Sequence, residues 1–223
     1  MTGRITNCSA PEIKDDTKVE NLAPNEAIDL GIILELGSIG AGNAATSLSE
    51  VFGEQISMEL PKIYTLPPHL VQKFYGLHDV ATTAIYMELR GEADCDILLL
   101  FEEQEARKIA AMMTMTPSPD DVEPEMEASA IEELGNIVIG SFLSALSDFT
   151  ETNLVPNPPQ RATDSFDAIL DTFLIKQVLS TDMAILFDTR FKRADGNISG
   201  MLMMFPSREL QGMLTEKAKN WIE

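Results

Sequence analysis

The segment E-L-G-S-I-G-A-G-N-A-A-T-S-L-S at 35–49 returns 98 residues later as E-L-G-N-I-V-I-G-S-F-L-S-A-L-S at 133–147. Self-similarity of this kind constrains architecture before any other feature, because two copies of one unit must bury the same apolar pattern twice. The likeness runs on past the segment. A-I-Y-M-E-L-R (84–90) and I-L-L-L-F-E (97–102) answer A-I-L-F-D-T-R (184–190) and M-L-M-M-F-P (201–206), and each pair reads as a hairpin. The tails E-E-Q-E-A-R-K-I-A-A-M-M and S-R-E-L-Q-G-M-L-T-E-K-A read as helices that close the two units. A period of about 100 residues is too long for a solenoid. The expected fold is therefore a tandem duplication folded as one pseudo-symmetric domain.

Punctuation sets the boundaries. Residues 1–24 are polar, contain Pro11 and Pro24 and show no periodicity, so they read as a flexible leader. Asn25 can cap the first helix, whose apolar faces are assigned to Ile28, Ile32, Leu34, Leu36 and Ile39. The first repeat is placed at 25–115. T-M-T-P-S-P-D-D-V-E-P (114–124) joins it to the second repeat at 116–223, and Pro124 suits the first turn of the helix that follows. The fold class expected is α+β: two long motif helices side by side on one face of a largely antiparallel sheet, with smaller helices at the edges. Short polar turns such as R-G-E-A-D between the strands near 84 and 97 argue for antiparallel pairing.

The chain has 223 residues and 44% hydrophobic content, enough for a sizeable core. Sixteen Lys and Arg against 36 Asp and Glu leave a formal charge of −20, which opposes binding of nucleic acid or anionic membranes. The carboxylates are dispersed, which favours a solvated, salt-tolerant surface over a single acidic docking face. No apolar run approaches the roughly 20 residues of a membrane-spanning helix, and M-T-G-R-I-T-N-C-S lacks the apolar centre of a signal peptide. Cys8 and Cys95 are too few and too far apart for a disulfide framework or structural zinc, so a reduced, cytoplasmic setting is expected.

Glu133 and Asn136 carry the chemistry of the second copy, with Ser129 one turn before them, Gly135 between them and Pro159 following. At i and i+3 the acid and the amide differ by about 60° around a helix axis and project from one face. Ile131, Leu134, Ile137, Val138, Leu143 and Leu146 can seat the opposite side on a sheet. In the first copy the matching residues are Glu35, Gly37, Ser38 and Pro61. A mid-helix glycine costs about 1 kcal/mol relative to alanine, so Gly37 and Gly135 need an offsetting reason: tight packing within the fold, or close approach of another molecule's backbone. G-A-G-N-A-A at 40–45 fits a loose dinucleotide fingerprint but follows a helical segment where a strand is required. His69 and His78 match no metal-ligand spacing, no G-x-S-x-G sequence marks a hydrolase nucleophile, and Met201, Met203 and Met204 read as core.

The pattern S-x-x-x-E-x-x-N, then 22 residues, then proline, resembles the signature of the CheC, CheX and FliY family, phosphatases of the chemotaxis response regulator CheY. Ser129, Glu133, Asn136 and Pro159 match it fully. The resemblance covers about residues 25–220 and implies an aspartyl-phosphate protein phosphatase. Asn136 would orient water for in-line attack, and Glu133 would pair with a lysine of the docked regulator. The chain would need no cofactor of its own, the Mg²⁺ being held by the phosphorylated CheY-type regulator. The first copy departs from the family pattern. Ser38 replaces the asparagine, and Gly31 stands where Ser or Asp would precede the glutamate, so a weak or silent site is expected there. The resemblance also implies CheD, a receptor deamidase, as a partner, with the helix near 104–115 as the candidate contact. The alternative reading is a CheD- or CheY-binding module with little or no turnover. A flagellar-switch protein of the FliY type is disfavoured by length, since the chain ends at Glu223.

Overall fold

The computed structural model describes residues 30–75, 79–193 and 196–221. The leader, the Asn25 cap, Ile28 and His78 lie outside these residues. The elements run α1 (Leu30–Phe52), β1 (Ser57–Leu66), α2 (Pro68–Tyr75), β2 (Ala81–Gly91), β3 (Cys95–Glu102) and α3 (Glu103–Met113). After a 3-10 turn at Pro119–Asp121 the order repeats as α4 (Pro124–Thr150), β4 (Leu154–Pro156), β5 (Gln160–Ser165), α5 (Phe166–Ser180), β6 (Ala184–Arg193), β7 (Gly196–Pro206) and α6 (Arg208–Trp221). Among the described residues, the second copy differs in that its edge strand is split in two.

The sheet has the order β1-β6-β7-β3-β2, with β4 and β5 both on the outer side of β2, and every pairing is antiparallel. Its two hairpins, β2–β3 and β6–β7, meet at the centre through β3 and β7. Each hairpin then receives its outer strand from the other copy: β1 pairs with β6, and β4 and β5 pair with β2. The copies are thus interlocked about a pseudo-two-fold axis.

Both edge strands are interrupted where the sequence puts its paired prolines. Along β1, Glu59 to Lys62 spans three steps against two on β6, Arg190 to Asp188, which is a one-residue bulge containing Pro61. Between β4 and β5, Pro156 to Gln160 spans four steps against three on β2, Leu89 to Tyr86, and holds Pro158 and Pro159. A proline cannot donate to the ladder, so an edge-strand bulge is where it fits.

Helices cover both faces of the sheet. On one side Ile33, Leu48, Ile131, Leu134, Val138 and Phe142 of α1 and α4 close over Ile85, Ile97, Leu99, Phe187 and Leu202, with α3 and α6 contributing to the same core. On the other, Val71 and Tyr75 of α2 and Phe166, Leu170 and Leu174 of α5 pack on Leu98, Leu100, Leu186, Met203 and Phe205. The two short helices therefore form a second layer, where the sequence suggested helices at the edges. The cause is visible in β3, whose run I-L-L-L-F is buried on both faces and so needs cover on both. Met201, Met203 and Met204 are core residues. The helix α4 is, by length and composition, apolar enough to cross a bilayer, which the sequence reading missed; most of its apolar stretch is buried within the fold.

Candidate functional site

The inner stripe of α4 consists of Ile131, Leu134, Gly135, Val138, Ile139 and Phe142, all buried, which turns Ser129, Glu133 and Asn136 outward to solvent. Three residues of α-helix separate the acid from the amide by about 4.5 Å along the axis and about 60° around it. Neither side chain hydrogen-bonds or ion-pairs with any described residue. Ser129 is different: its hydroxyl donates to the Glu125 carbonyl at 3.0 Å. Pro124 at the first helical position, with Glu125 and Glu127 in the first turn, gives α4 a favourable start. Glu151 closes it in a left-handed conformation at φ 55°, its amide donating to the Ser147 carbonyl.

The glycine between them faces inward. A Cβ on Gly135 would sit 2.4 Å from Ile85 Cγ2, and one on Gly37 would sit 2.9 Å from both Leu60 Cδ1 and Phe187 Cε1. Packing of each motif helix on the sheet is the reason for both glycines, and neither one is a landing place for a partner's backbone. Leu60 immediately precedes Pro61, so in the first copy the motif glycine rests on the bulge that carries the motif proline.

On α1, Glu35 and Ser38 are likewise exposed, and Glu35 makes no hydrogen bond or ion pair with a described residue. Ser38 donates its hydroxyl to the Leu34 carbonyl at 2.8 Å. Leu34 and Ile39, assigned from sequence to the apolar face, are instead 53% and 43% exposed and flank the Glu35–Ser38 face. The buried stripe of α1 is Ile33, Gly37, Ala41, Ala44 and Leu48, at helical spacing, which leaves no room for Leu34 on the same side. G-A-G-N-A-A lies wholly inside this helix, so no phosphate-cradling turn exists there. Gly40 meets Phe142, and Ile33, Leu36 and Gly37 share one small apolar cavity with Phe142 and Leu146. The start of α1 thus lies beside the end of α4. The helices run antiparallel, and the two motif faces point to opposite ends of the pair.

Sequence reasoning missed a polar cluster beneath α5 that anchors the segment before Pro159. Glu88 on β2 accepts from Tyr86 Oη at 2.6 Å, from Lys176 Nζ and from Asn157 Nδ2 at 3.3 Å, while its backbone carbonyl takes the Asn157 amide at 2.8 Å. Asp96, buried on β3, accepts from Arg90 Nη1 at 2.7 Å and from Gln177 Nε2 at 2.5 Å. The hydrogen bond from Lys176, then that from Tyr86, holds the Glu88 carboxyl down to about 2. Burial opposes charge on Lys176, yet its bonds to Glu88 and Tyr86 win and keep its pKa above the usual amine value. The alternation of Tyr86, Glu88 and Arg90 on one strand face was the available signal. The helix α3, offered above to a second partner, keeps Ala106, Ile109 and Ala110 inward and carries the ion pairs Arg107–Glu103 at 2.9 Å and Lys108–Glu105 at 2.6 Å.

Comparison with known proteins decides the family. The CheC-like family matches residues 126–161, a span holding Ser129, Glu133, Asn136 and Pro159. The CheY-P phosphatase CheC of Bacillus subtilis (strain 168) is 31% identical over 163 residues, 72% of this chain and 78% of the relative. The chain belongs to the CheC-like family. A CheC1 protein of Halobacterium salinarum is 24% identical over 181 residues, covering 81% of this chain and 91% of the relative. The X-ray structure of Thermotoga maritima FliY superposes with a TM-score of 0.69 at 18% identity, over 85% of this chain and 95% of that one. That likeness shows that the two chains share the α+β fold described above.

Proposed function

We propose that this chain hydrolyses the aspartyl phosphate of a CheY-type response regulator, using Glu133 and Asn136 of α4. The observation that carries the reading is the outward acid–amide pair, with no hydrogen bond or ion pair to a described residue, on a helix whose other face packs on the sheet through Gly135. The Bacillus subtilis relative, whose name states this activity, supports it.

A carboxamide offers both a donor and an acceptor, so Asn136 can hold a water by its proton and its oxygen at once. That water attacks phosphorus in line. The bond from phosphorus to the aspartyl oxygen breaks, the aspartate leaves as carboxylate, and inorganic phosphate is released carrying the water's oxygen, with one of the water's protons on it and the other shared between phosphate and solvent. Glu133 pairs with a regulator lysine to fix the register, and Mg²⁺ held by the regulator would supply charge neutralisation to the phosphoryl group. Catalysis is positioning, with no covalent intermediate on this chain.

The Ser38 hydroxyl on α1 is shorter than a carboxamide, has no N–H, and already gives its proton to its own helix. Turnover therefore belongs to the second copy. The test is decay of a phosphorylated regulator: Asn136→Ala removes most of the acceleration and Ser38→Ala little, whereas equal losses contradict the assignment. A contact between α3 and CheD is a separate proposal, supported by Met115, 88% exposed just past its end. Undisturbed CheD binding after charge reversals from Glu105 to Lys108 removes it.

A further inference from the structure

The face of α1 repeats most of what α4 presents. Glu35 stands three residues before Ser38 as Glu133 stands before Asn136, both acids are exposed, and neither is paired with a described residue. Gly37 seats α1 against Leu60 and Phe187 as Gly135 seats α4 against Ile85. The matching prolines, each separated by 22 residues from the Ser38 or Asn136 position, lie in one-residue interruptions of the two edge strands. What α1 lacks is the amide, together with the hydroxyl one turn before the acid, since Gly31 stands where α4 has Ser129.

Two further differences change the character of this face without removing it. Position 34 is a leucine, 53% exposed, where α4 has Glu132, so one carboxylate has been replaced by apolar surface. Position 39 is an isoleucine, 43% exposed, where Ile137 of α4 is half-buried. A phosphorylated protein surface meets less negative charge here, which favours its approach, and more apolar contact area, which slows its release.

We infer that the Glu35 face of α1 is a second docking site for the phosphorylated response regulator, one that holds it without hydrolysing it. This rests on the function proposed above, since the occupant is identified by the pseudo-two-fold relation to the α4 site. Glu35 supplies the ion pair, and Leu34 and Ile39 supply the apolar rim. Ser38, its proton committed to the Leu34 carbonyl, leaves the water beside the acyl phosphate unoriented. A regulator bound at α1 keeps its phosphoryl group, so the chain can shelter one population of the signal while it erases another.

The experiment uses the full chain and a CheY-type receiver bearing beryllofluoride on its phosphoacceptor aspartate, with Mg²⁺, followed by titration calorimetry. The Glu133→Lys chain still binds this probe, within about tenfold of the unaltered chain, and adding Glu35→Lys abolishes the remaining binding. In parallel, Ser38→Asn placed in the Asn136→Ala chain raises hydrolysis of the phosphorylated regulator at least about tenfold, by giving the α1 site its water-orienting amide. Loss of all binding on Glu133→Lys alone, or no gain of hydrolysis from Ser38→Asn, overturns the inference. An unaltered chain that neither binds nor hydrolyses sinks the proposed function itself. One that hydrolyses normally but loses all binding on Glu133→Lys sinks only the second site.

Discussion

At the residue scale, glycines in one helix have opposite roles that only their neighbours distinguish. A methyl group on Gly135 meets the branched, stiff side chain of Ile85 at 2.4 Å, with Ile85 Cβ also at 3.3 Å, whereas one on Gly140 meets nothing within 4 Å. Gly135→Ala gains about 1 kcal/mol of helix propensity but overpacks the core at a cost of about 1–3 kcal/mol, so it lowers the urea midpoint. Gly140→Ala has no such penalty and raises stability by about 0.5–1 kcal/mol in the same titration. The spacing of the motif was legible from residue types: Ser129, Glu133 and Asn136 share an exposed face because helical geometry requires it. The purpose of Gly37 and Gly135 was not, since a glycine carries no record of what lies opposite. Leu34 and Ile39 show the same limit, because apolar residue type alone does not reveal that a neighbour, Ile33, already occupies the inward position.

At the element scale, the cluster centred on Glu88 ties α5, β2 and the segment before Pro159 together. The folded carboxyl sits at about 2 against an ordinary 4.5, so its contribution to stability is complete above about pH 4.5 and is lost as pH falls towards 2. Glu88→Gln flattens this part of the stability profile, measured by denaturant unfolding between pH 2 and 6; an unchanged slope contradicts the assignment. The hairpins, the long helices and the proline positions could be read from alternation, repeat and punctuation. The helices α2 and α5 could not be assigned their place, although Pro68 at the start of α2 and the Ser165 cap, which accepts from the Ala168 amide, were available signals. Short helices between strands are placed by what the sheet must bury, and that depends on both faces of β3 and β7 at once.

At the scale of the whole molecule, the exchange of edge strands makes the two copies interdependent. The β6–β7 hairpin has β1 as its outer neighbour, and the β2–β3 hairpin has β4 and β5. Division within the 114–123 connection therefore gives halves that each lack a strand and half of the α1–α4 layer. Neither half folds alone by circular dichroism and denaturant titration, while mixing the two restores a cooperative transition; a cooperatively folded single half contradicts the interlocked account. The same interlocking holds α1 and α4 in one layer, which fixes the positions of their two outward faces. The central claim is that the α4 platform aligns water through Asn136. Its most direct test is the rate of phosphoryl loss from a CheY-type regulator with Mg²⁺, with the unaltered chain and with Asn136→Ala. The account predicts that the variant loses acceleration by about a hundredfold or more while still binding the regulator. Hydrolysis that survives Asn136→Ala at the unaltered rate would contradict it.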